Sequence, residues 1–417
     1  MVQSVLGSIT LGYRPLWGRN RELAGVQLRV APEPAMPVDA PHLLRTLDEL
    51  WSADAPPLLL SAETPALLAG LLEHGDAQSP QIEVPGDWLE ADTGLQTRVV
   101  QAHRRGLRVI WRGDVRHMPP PAPDRPVHRC LLSLQPEDAA AALQAALQQK
   151  RQPNAPSTAF LRSPVQPGHY YENIASAALI DHCLDQKHGL ALLGWPDDDV
   201  LYGHRGRELA PARSIIERLL RAIGQDQSMD VIEDILSEEP ILSYRFLTLT
   251  NSAALGLRTG IDSLRRGLMM MGYTQLERWL VGQLPHAGTD LNLQPVRQGM
   301  VLRARLMEHI LDAGIEEDLR REVYLCGLFS QLDVLMNEPL GTILHRLPLS
   351  DRIYSANVTQ SGPYQPALDL ARAMDSADTA TVRALRHAHE LDTEDLNRAL
   401  LHTLLSQHVP ANAATRT

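Results

Sequence analysis

Lysine is nearly absent from this chain: Lys150 and Lys187 are the only two among 417 residues, so almost all of the basic charge is arginine. A guanidinium stays protonated and grips carboxylate or phosphate with a two-pronged fork, whereas Schiff-base or amine chemistry needs lysine and has only two places to look here. Cysteine is equally scarce. Cys130, Cys183 and Cys326 form an odd and widely spaced set, which excludes a disulfide framework and metal-knuckle spacing and leaves reduced thiols as the plain reading. Aromatic residues make up only 4% of the chain, so its cores must be built from Leu, Ala, Val, Ile and Met, which favours helix-rich layers and argues against an all-β protein. No stretch approaches the ~18 uninterrupted apolar residues of a membrane span, and the first residues lack a charged leader followed by a long apolar run. The expectation is a cytoplasmic protein with no membrane partner. A net charge of −11 disfavours attraction to phosphate backbones, so nucleic acid is not an expected partner either.

What is present divides into two rhythms, as a chain of 417 residues should when single cores rarely grow beyond about 250–300 residues. In the N-terminal half, short apolar runs at Val5–Leu11, Gly25–Val30, Leu58–Leu60, Gln81–Val84, Leu107–Trp111, Cys130–Leu134 and Leu190–Leu193 alternate with helical segments. Those helices are expected at His42–Trp51, Pro65–His74, Gly94–Arg105, Pro136–Lys150 and Tyr170–Gln186. This is a βα repeat. With Ala159–Leu161 as a weaker strand the count approaches the eight that a barrel needs.

The C-terminal half is punctuated as helices throughout. Glu239 or Ser237 precedes Pro240, which suits a first helical position, and Asn251-Ser252 with Gly256 ends that helix. Asp262 caps a second helix through Met269–Met271 that Gly272 closes, and Thr274 with Glu277 makes a capping-box pattern ahead of Trp279-Leu280. Further helices are expected at Pro295–Leu311 up to Gly314, Glu316–Met336, Asp378–Leu391 and Asp392–Val409, before a polar tail at Ala411–Thr417.

The opening hairpin, Gly12-Tyr13-Arg14-Pro15-Leu16-Trp17-Gly18-Arg19-Asn20-Arg21 running into Val26-Gln27-Leu28-Arg29, resembles the start of EAL domains, the barrel phosphodiesterases of cyclic di-GMP. The resemblance sets Gln27 where that family carries a metal-ligating glutamate. It also sets a position around Ser61 where the family has asparagine, Arg112-Gly113-Asp114 where it has paired aspartates, and Ser133 or a neighbour where it has lysine. Glu83 is the surviving acidic residue. Two-metal phosphodiester hydrolysis needs several oxygen ligands holding cations ~3.5–4 Å apart, and one glutamate does not supply them. Glu83, and Asp114 likewise, therefore read first as solvated or hydrogen-bonded strand-end residues. Arg14, Arg29 and Glu83 are the candidate ligand-binding residues of the barrel.

The stretch from Pro240 through Leu247, Asn251-Ser252, Ser263-Leu264, Gly272 and Arg278-Trp279-Leu280 resembles the HDOD family, a helical relative of the HD phosphohydrolases without their catalytic residues. An HD enzyme needs an adjacent His-Asp pair, and none of the sixteen histidines here is followed by aspartate. The resemblance puts Ser330-Gln331 in that position, within Val323–Asp333, and neither residue replaces the pair as ligands.

Other ligand-like groups have blander readings. Asp181 and Asp185 share a helical face while His182 and Cys183 point elsewhere, which describes a solvated face, and His387 and His389 are surface residues. Asp197-Asp198-Asp199 follows a Gly194-Trp195-Pro196 turn without calcium-loop spacing. At least two of Met269–Met271 are expected in the core, and Trp279 is first a packing residue. Arg245, Arg258, Arg265, Arg266 and Arg278 could read an anion or an acidic partner, but pairing with Glu233, Asp234, Glu238, Glu239 and Glu277 is the favoured alternative. Arg245, Arg265, Arg266, Arg278 and Trp279 are the candidate partner surface.

The fold expectation is α/β plus all-α: a degenerate EAL-like (β/α) barrel over residues 1–205, then a helical HDOD domain over 206–417, joined near Gly203–Pro211. The functional expectation is a non-catalytic bacterial signalling protein that meets other signalling proteins, with no cofactor, no metal and no catalytic residue. Two alternatives stand beside it: a cyclic di-GMP sensor that binds without hydrolysis, and a residual phosphodiesterase near Glu83.

Overall fold

The computed structural model describes residues 4–34, 37–120, 129–151, 162–207, 209–252, 260–311 and 316–407. Eight strands close into a barrel in chain order: β1 Ile9–Gly18, β2 Leu23–Pro32, β3 Leu58–Ala62, β4 Gln81–Pro85, β5 Val109–Asp114, β6 Cys130–Ser133, β7 Tyr170–Glu172 and β8 Ala191–Leu193. All neighbours run parallel except around β1, which is antiparallel to both β2 and β8. The hairpin turn that reverses the chain is closed by the Gly18 amide donating to the Glu22 carbonyl at 2.9 Å, with Arg21 in the left-handed region at φ 61°.

Between strands run α1 Ala40–Leu50, α2 Pro65–His74, α3 Gly86–Ala91, α4 Thr93–Arg104, α5 Pro136–Arg151, α6 Ala177–Ile180 and α7 Asp197–Tyr202. Helix α2 has the expected bounds for local reasons. Thr64 accepts from the Leu67 amide as N-cap, Pro65 presets the first turn, and Leu67, Leu68, Leu71 and Leu72 recur on one buried face.

Two expectations are corrected here. Val5–Ser8 is a 3-10 turn rather than strand, closed by the Gly7 amide on the Ser4 carbonyl, and β1 begins at Ile9. Tyr170–Gln186 is not one helix. Its first three residues are β7, held on one side by Leu131–Ser133 and on the other by Ala191–Leu193. Ladder pairing on both edges overrides a helical pattern that only the later part satisfies; there Ser176 caps α6, which widens into a π-helical turn over Asp181–Gln186. Ala159–Leu161 lies outside the described residues.

The helical region comprises α8 Arg213–Gly224, α9 Met229–Ser237, α10 Pro240–Thr250, α11 Leu264–Gln283, α12 Leu293–Ile310, α13 Glu317–Leu328, α14 Leu332–Met336, α15 Leu340–Leu344, α16 Asp351–Tyr354, α17 Gln365–Asp375, α18 Thr379–Ala388 and α19 Thr393–Leu405. Glu239 is the cap of α10, accepting from the Leu242 amide. The same carboxylate is buried against Arg297 of α12, whose Nε lies 2.8 Å from its Oε1. Helices α12 and α13 meet at Gly327, where a Cβ would come within 2.6 Å of the Ala304 Cα.

Ser263, not Asp262, caps α11 by accepting from the Arg266 amide, while Asp262 pairs with the Arg266 side chain. Gly272, at φ 67° and ψ 169°, breaks α11 in the middle as expected of a left-handed glycine. Of the three methionines beside it, Met271 alone is buried and Met269 and Met270 are exposed, which corrects the expectation of two in the core. The expected helix Glu316–Met336 is interrupted at Phe329–Gln331. Gly256, Arg258, Gly314, Val409 and Ala411–Thr417 lie outside the described residues.

The compact units differ from a division at 205/206. Met1–Asp199 joins with Ala373–Thr417, and Val200–Arg372 forms the other unit. Asn397 of α19 gives the physical reason. Its buried side chain donates to the carbonyls of Leu6 and Ile9, both at 2.8 Å, and accepts from the Leu11 amide at 3.1 Å. Around it Leu396, Leu400, Leu401 and Leu404 are buried.

Candidate functional site

Side chains of successive strand residues alternate across the barrel wall, so residues two apart share a face. The inner face holds an apolar cluster of Leu16, Leu59, Ile110, Leu131, Ala191 and Leu193, with Tyr170 packed against it. Two positions along β1, β3, β5 and β7 from those residues stand Arg14, Ser61, Arg112 and Glu172. They share a polar layer with Gln27 and Glu83. The layer lies toward the C-terminal ends of the parallel strands, where βα barrels place their chemistry.

Arg112 is the hub. Its Nε and Nη2 donate to the two oxygens of Glu172 at 2.9 and 3.1 Å, and its Nη1 donates to Glu83 Oε1 at 3.1 Å. Glu83 also accepts from the Ser61 hydroxyl at 3.1 Å and from the Gln27 side-chain amide. Arg14 completes the network, with Nη1 3.6 Å from Glu172 Oε2 and Nη2 donating to the Leu193 carbonyl at 3.3 Å. Glu83 is 1% exposed and Glu172 3%, so these are charges paired inside protein rather than a solvated rim. Burial lowers the Arg112 pKa, but the charge of Glu83 and the bonds to Glu172 outweigh it, and the guanidinium is held above the ordinary arginine range. Arg14 goes the other way: burial, opposed by Glu172 and reinforced by the charges of Arg112 and Arg29, lowers its pKa.

This arrangement does not fit a resident divalent metal. A cation needs carboxylate lone pairs, and those of Glu83 and Glu172 are turned onto Arg112, Ser61, Gln27 and Arg14. A guanidinium lies between the carboxylates and already supplies the positive charge. Among the described residues no group of three or more His, Cys, Asp and Glu is placed to hold a metal ion.

Of the barrel residues singled out from sequence, Glu83 and Arg14 enter this layer, while Arg29 lies nearer the mouth with its Nε 3.3 Å from Glu63. Asp114 turns away and caps the 3-10 turn Val115–His117. Burial raises its carboxyl pKa, but the His117 ring and the amides of His117 and Arg116 outweigh this and hold it below the usual range. Ser133 ends β6 with its hydroxyl 3.5 Å from the Gly113 carbonyl. Glu172 went unremarked in the sequence because its strand is three residues long; the other signal, an acidic residue next to Tyr170-Tyr171, is too short to separate from a helix start.

The acidic face of Asp181 and Asp185 is not simply solvated. Both pair with Arg21, at 2.9 and 2.7 Å. His182 is buried, its ring bonded to Ser163 and Gln186 at 2.8 and 2.6 Å. Asp199 accepts from the Ala177 amide at 2.8 Å.

In the helical unit, Arg265 pairs with Asp230 at 2.6 Å and lies 3.6 Å from Glu233, and Arg266 pairs with Asp262 at 2.8 Å. Arg245 donates to Gln283 at 3.2 Å, Arg278 is exposed, and Trp279 packs on Phe246 with ring centroids 5.7 Å apart. At the position compared with the His-Asp pair, Ser330 is buried and its hydroxyl has no partner among the described residues. Nearby, Asn357 donates to the Cys326 carbonyl at 3.1 Å, and burial pushes the Cys326 thiol up to about 12.

Residues 209–337 match the model of the HDOD domain. Thus an N-terminal β/α barrel is followed by a helical region at the location of that domain. Over 208 residues the chain is 26% identical to the cyclic di-GMP phosphodiesterase CdgJ of Vibrio cholerae, covering 47% of this chain and 45% of that protein. It is 24% identical over 191 residues to YuxH of Bacillus subtilis, covering 45% of this chain and 46% of that protein. The chain spans about half the length of these curated relatives. The MmoQ response regulator of Methylococcus capsulatus is similar over 46% of this chain and 98% of its own, at 16% identity and a TM-score of 0.38. No described helix is long and apolar enough to cross a membrane.

Proposed function

We propose that this chain is a non-catalytic regulatory protein of bacterial signal transduction, acting on other signalling proteins through protein–protein contacts. The barrel is read as a degenerate EAL-type domain, and the helical region from about residue 206 as its HDOD partner. One observation carries the reading: the Arg112 guanidinium lies between Glu83 and Glu172, where a phosphodiesterase of this type would need divalent cations. Gln27 in place of a glutamate removes a further negative ligand. With Glu83 and Glu172 bonded to fixed donors, the layer offers neither a free base nor the lone pairs that would hold a water-activating cation.

A second reading has its own observation. Arg14 within the polar layer and Arg29 nearer the mouth face the interior, and the similarity to a cyclic di-GMP phosphodiesterase supports a barrel that binds the dinucleotide without cleaving it. Titrating cyclic di-GMP into the full chain by calorimetry, first with magnesium and then with chelator, separates the readings when the recovered ligand is checked for hydrolysis. The expected result is no hydrolysis under either condition. Metal-dependent turnover by pure protein would sink the non-catalytic reading, saturable binding that survives chelation would select the sensor, and no heat at saturation would leave protein partners.

A further inference from the structure

The β1–β3 edge of the barrel mouth is covered by the protein's own chain. Strand β1 is antiparallel, so its first residues lie level with the ends of its neighbours: Gly12 pairs with Arg29, and Arg29 with Ser61. At that end Ala377 stands against Gly12 so closely that a Cβ on Gly12 would lie 2.8 Å from the Ala377 Cα and 3.2 Å from its carbonyl carbon. Ala377 itself is left-handed, at φ 54°, a conformation that a residue with a Cβ adopts at a cost. Just beyond, α18 is fastened to the strand ends by polar contacts. The Thr379 hydroxyl donates to Glu63 at 2.7 Å, Arg383 donates to the Pro32 carbonyl at 3.1 Å, and Arg386 pairs with Glu33 at 3.0 Å. Glu33 and Glu63 directly follow β2 and β3, so this segment bonds both rim carboxylates, which also meet Thr10 and Arg29.

Helices α18 and α19 are held in different ways. Helix α18 buries only Thr379 and Val382. Helix α19 buries eight residues, including Asn397 with its three bonds to β1 and the turn before it. The turn between them holds Glu390 at φ 53°. A segment with few buried apolar contacts opens at lower free energy than one with a full apolar face.

We propose that Ser376–Ala388 is a lid over the β1–β3 edge of the barrel mouth, held in cis, that swings open on the α18–α19 turn while α19 stays anchored. Any ligand or protein that uses Glu33 or Glu63 binds the open form, so its apparent affinity carries the fraction of molecules that are open. Release of the lid frees Glu33 from Arg383 and Arg386, and Glu63 from Thr379. This inference does not depend on the proposed function, since closure is measured without any ligand.

The test is hydrogen exchange on the full chain, comparing wild type with Gly12→Ala and Ala377→Gly. The Cβ of Gly12→Ala displaces the closed lid, so exchange over Ser376–Ala388 should accelerate by about tenfold or more, while α19 and β3–β8 change by less than about twofold. Ala377→Gly relieves the left-handed strain and should slow exchange in the same segment by about fivefold. The paired opposite shifts, confined to the lid, are the expected result. Equal acceleration of α18, α19 and β1 in Gly12→Ala overturns the proposal by making the segment an integral part of the barrel. No slowing in Ala377→Gly overturns it as well, and this variant remains decisive if Gly12→Ala fails to fold.

Discussion

The barrel interior and the helical unit treat the places where metal ligands were sought in opposite ways. In the barrel, charge remains: two carboxylates are buried and an arginine neutralises them from within. In the helical unit, charge is absent from the position compared with a His-Asp pair, and Ser330 is a small buried hydroxyl beside the apolar Phe329 and Leu332. The difference is energetic. A buried ion network is costly to disturb from any side, because removing one member leaves the others desolvated and unpaired, whereas a neutral buried group that bonds to nothing can be removed at little cost. The barrel's polar layer is therefore poised and rigid, and the helical position is silent.

The strongest way to break the comparison is Arg112→Met. Glu83 and Glu172 would lose their shared counter-ion, and unfolding by urea should show a loss of about 3–5 kcal/mol at pH 7. An unpaired buried carboxyl takes up a proton, raising its folded pKa above the unfolded value. Its stability contribution is then present at low pH and lost as pH rises, so the variant should recover part of the deficit at pH 5. A loss below about 1 kcal/mol with no pH dependence would mean that the network is solvated and its pairs worth no more than surface bridges.

Asn397→Ala tests whether the start of β1 is equally committed. It removes both donors to the Leu6 and Ile9 carbonyls and the acceptor for the Leu11 amide. Three buried backbone groups are left without partners, and the melting curve should report about 3 kcal/mol lost. A change under about 1 kcal/mol would mean that water reaches these groups and that α19 is a looser anchor than its burial suggests.

A smaller effect comes from His182, also in the barrel unit. Burial lowers its pKa from 6.5, with the Gln186 bond opposing and Lys187 reinforcing the shift. Because the folded value is depressed, the contribution to stability is present above pH 6.5 and is lost as pH falls through the folded value. The slope is at most about 1.4 kcal/mol per pH unit for one proton. His182→Gln should flatten that part of the stability–pH curve. An unchanged slope would transfer the proton uptake to another group, such as His169, which burial also lowers.

The parts of this molecule that follow from neighbours in sequence could be read from it. Helix α2 has its cap, its proline and its leucine face within ten residues, and the β1–β2 hairpin has its turn residues between two apolar runs. What depends on distant partners could not. Strand β7 exists because β6 and β8 flank it, and three residues carry no periodicity of their own. Glu83 stood out as a lone surviving acid, but its partner Arg112 is 29 positions away and Glu172, which shares that arginine, 89 positions away, and only closure of the barrel brings them together. The return of α18 and α19 to the barrel rests on polar bonds such as Asn397 to Leu6, across 391 positions, which no local pattern encodes.

Ser330→Ala is the finest probe of the comparison, since it asks whether the silent position is silent in energy as well. The Ser330 hydroxyl is buried and has no partner among the described residues, while its backbone amide donates to the Gly327 carbonyl at 3.2 Å and is untouched by the substitution. Burying an unbonded hydroxyl costs free energy that alanine does not, and the volume lost is a single oxygen. The variant should match wild type or exceed it by up to about 1 kcal/mol in urea unfolding. A loss of more than about 1 kcal/mol would mean that the hydroxyl is bonded in solution, through a water or a ligand between α13 and its neighbours. The helical position would then join the barrel layer as a polar site in use.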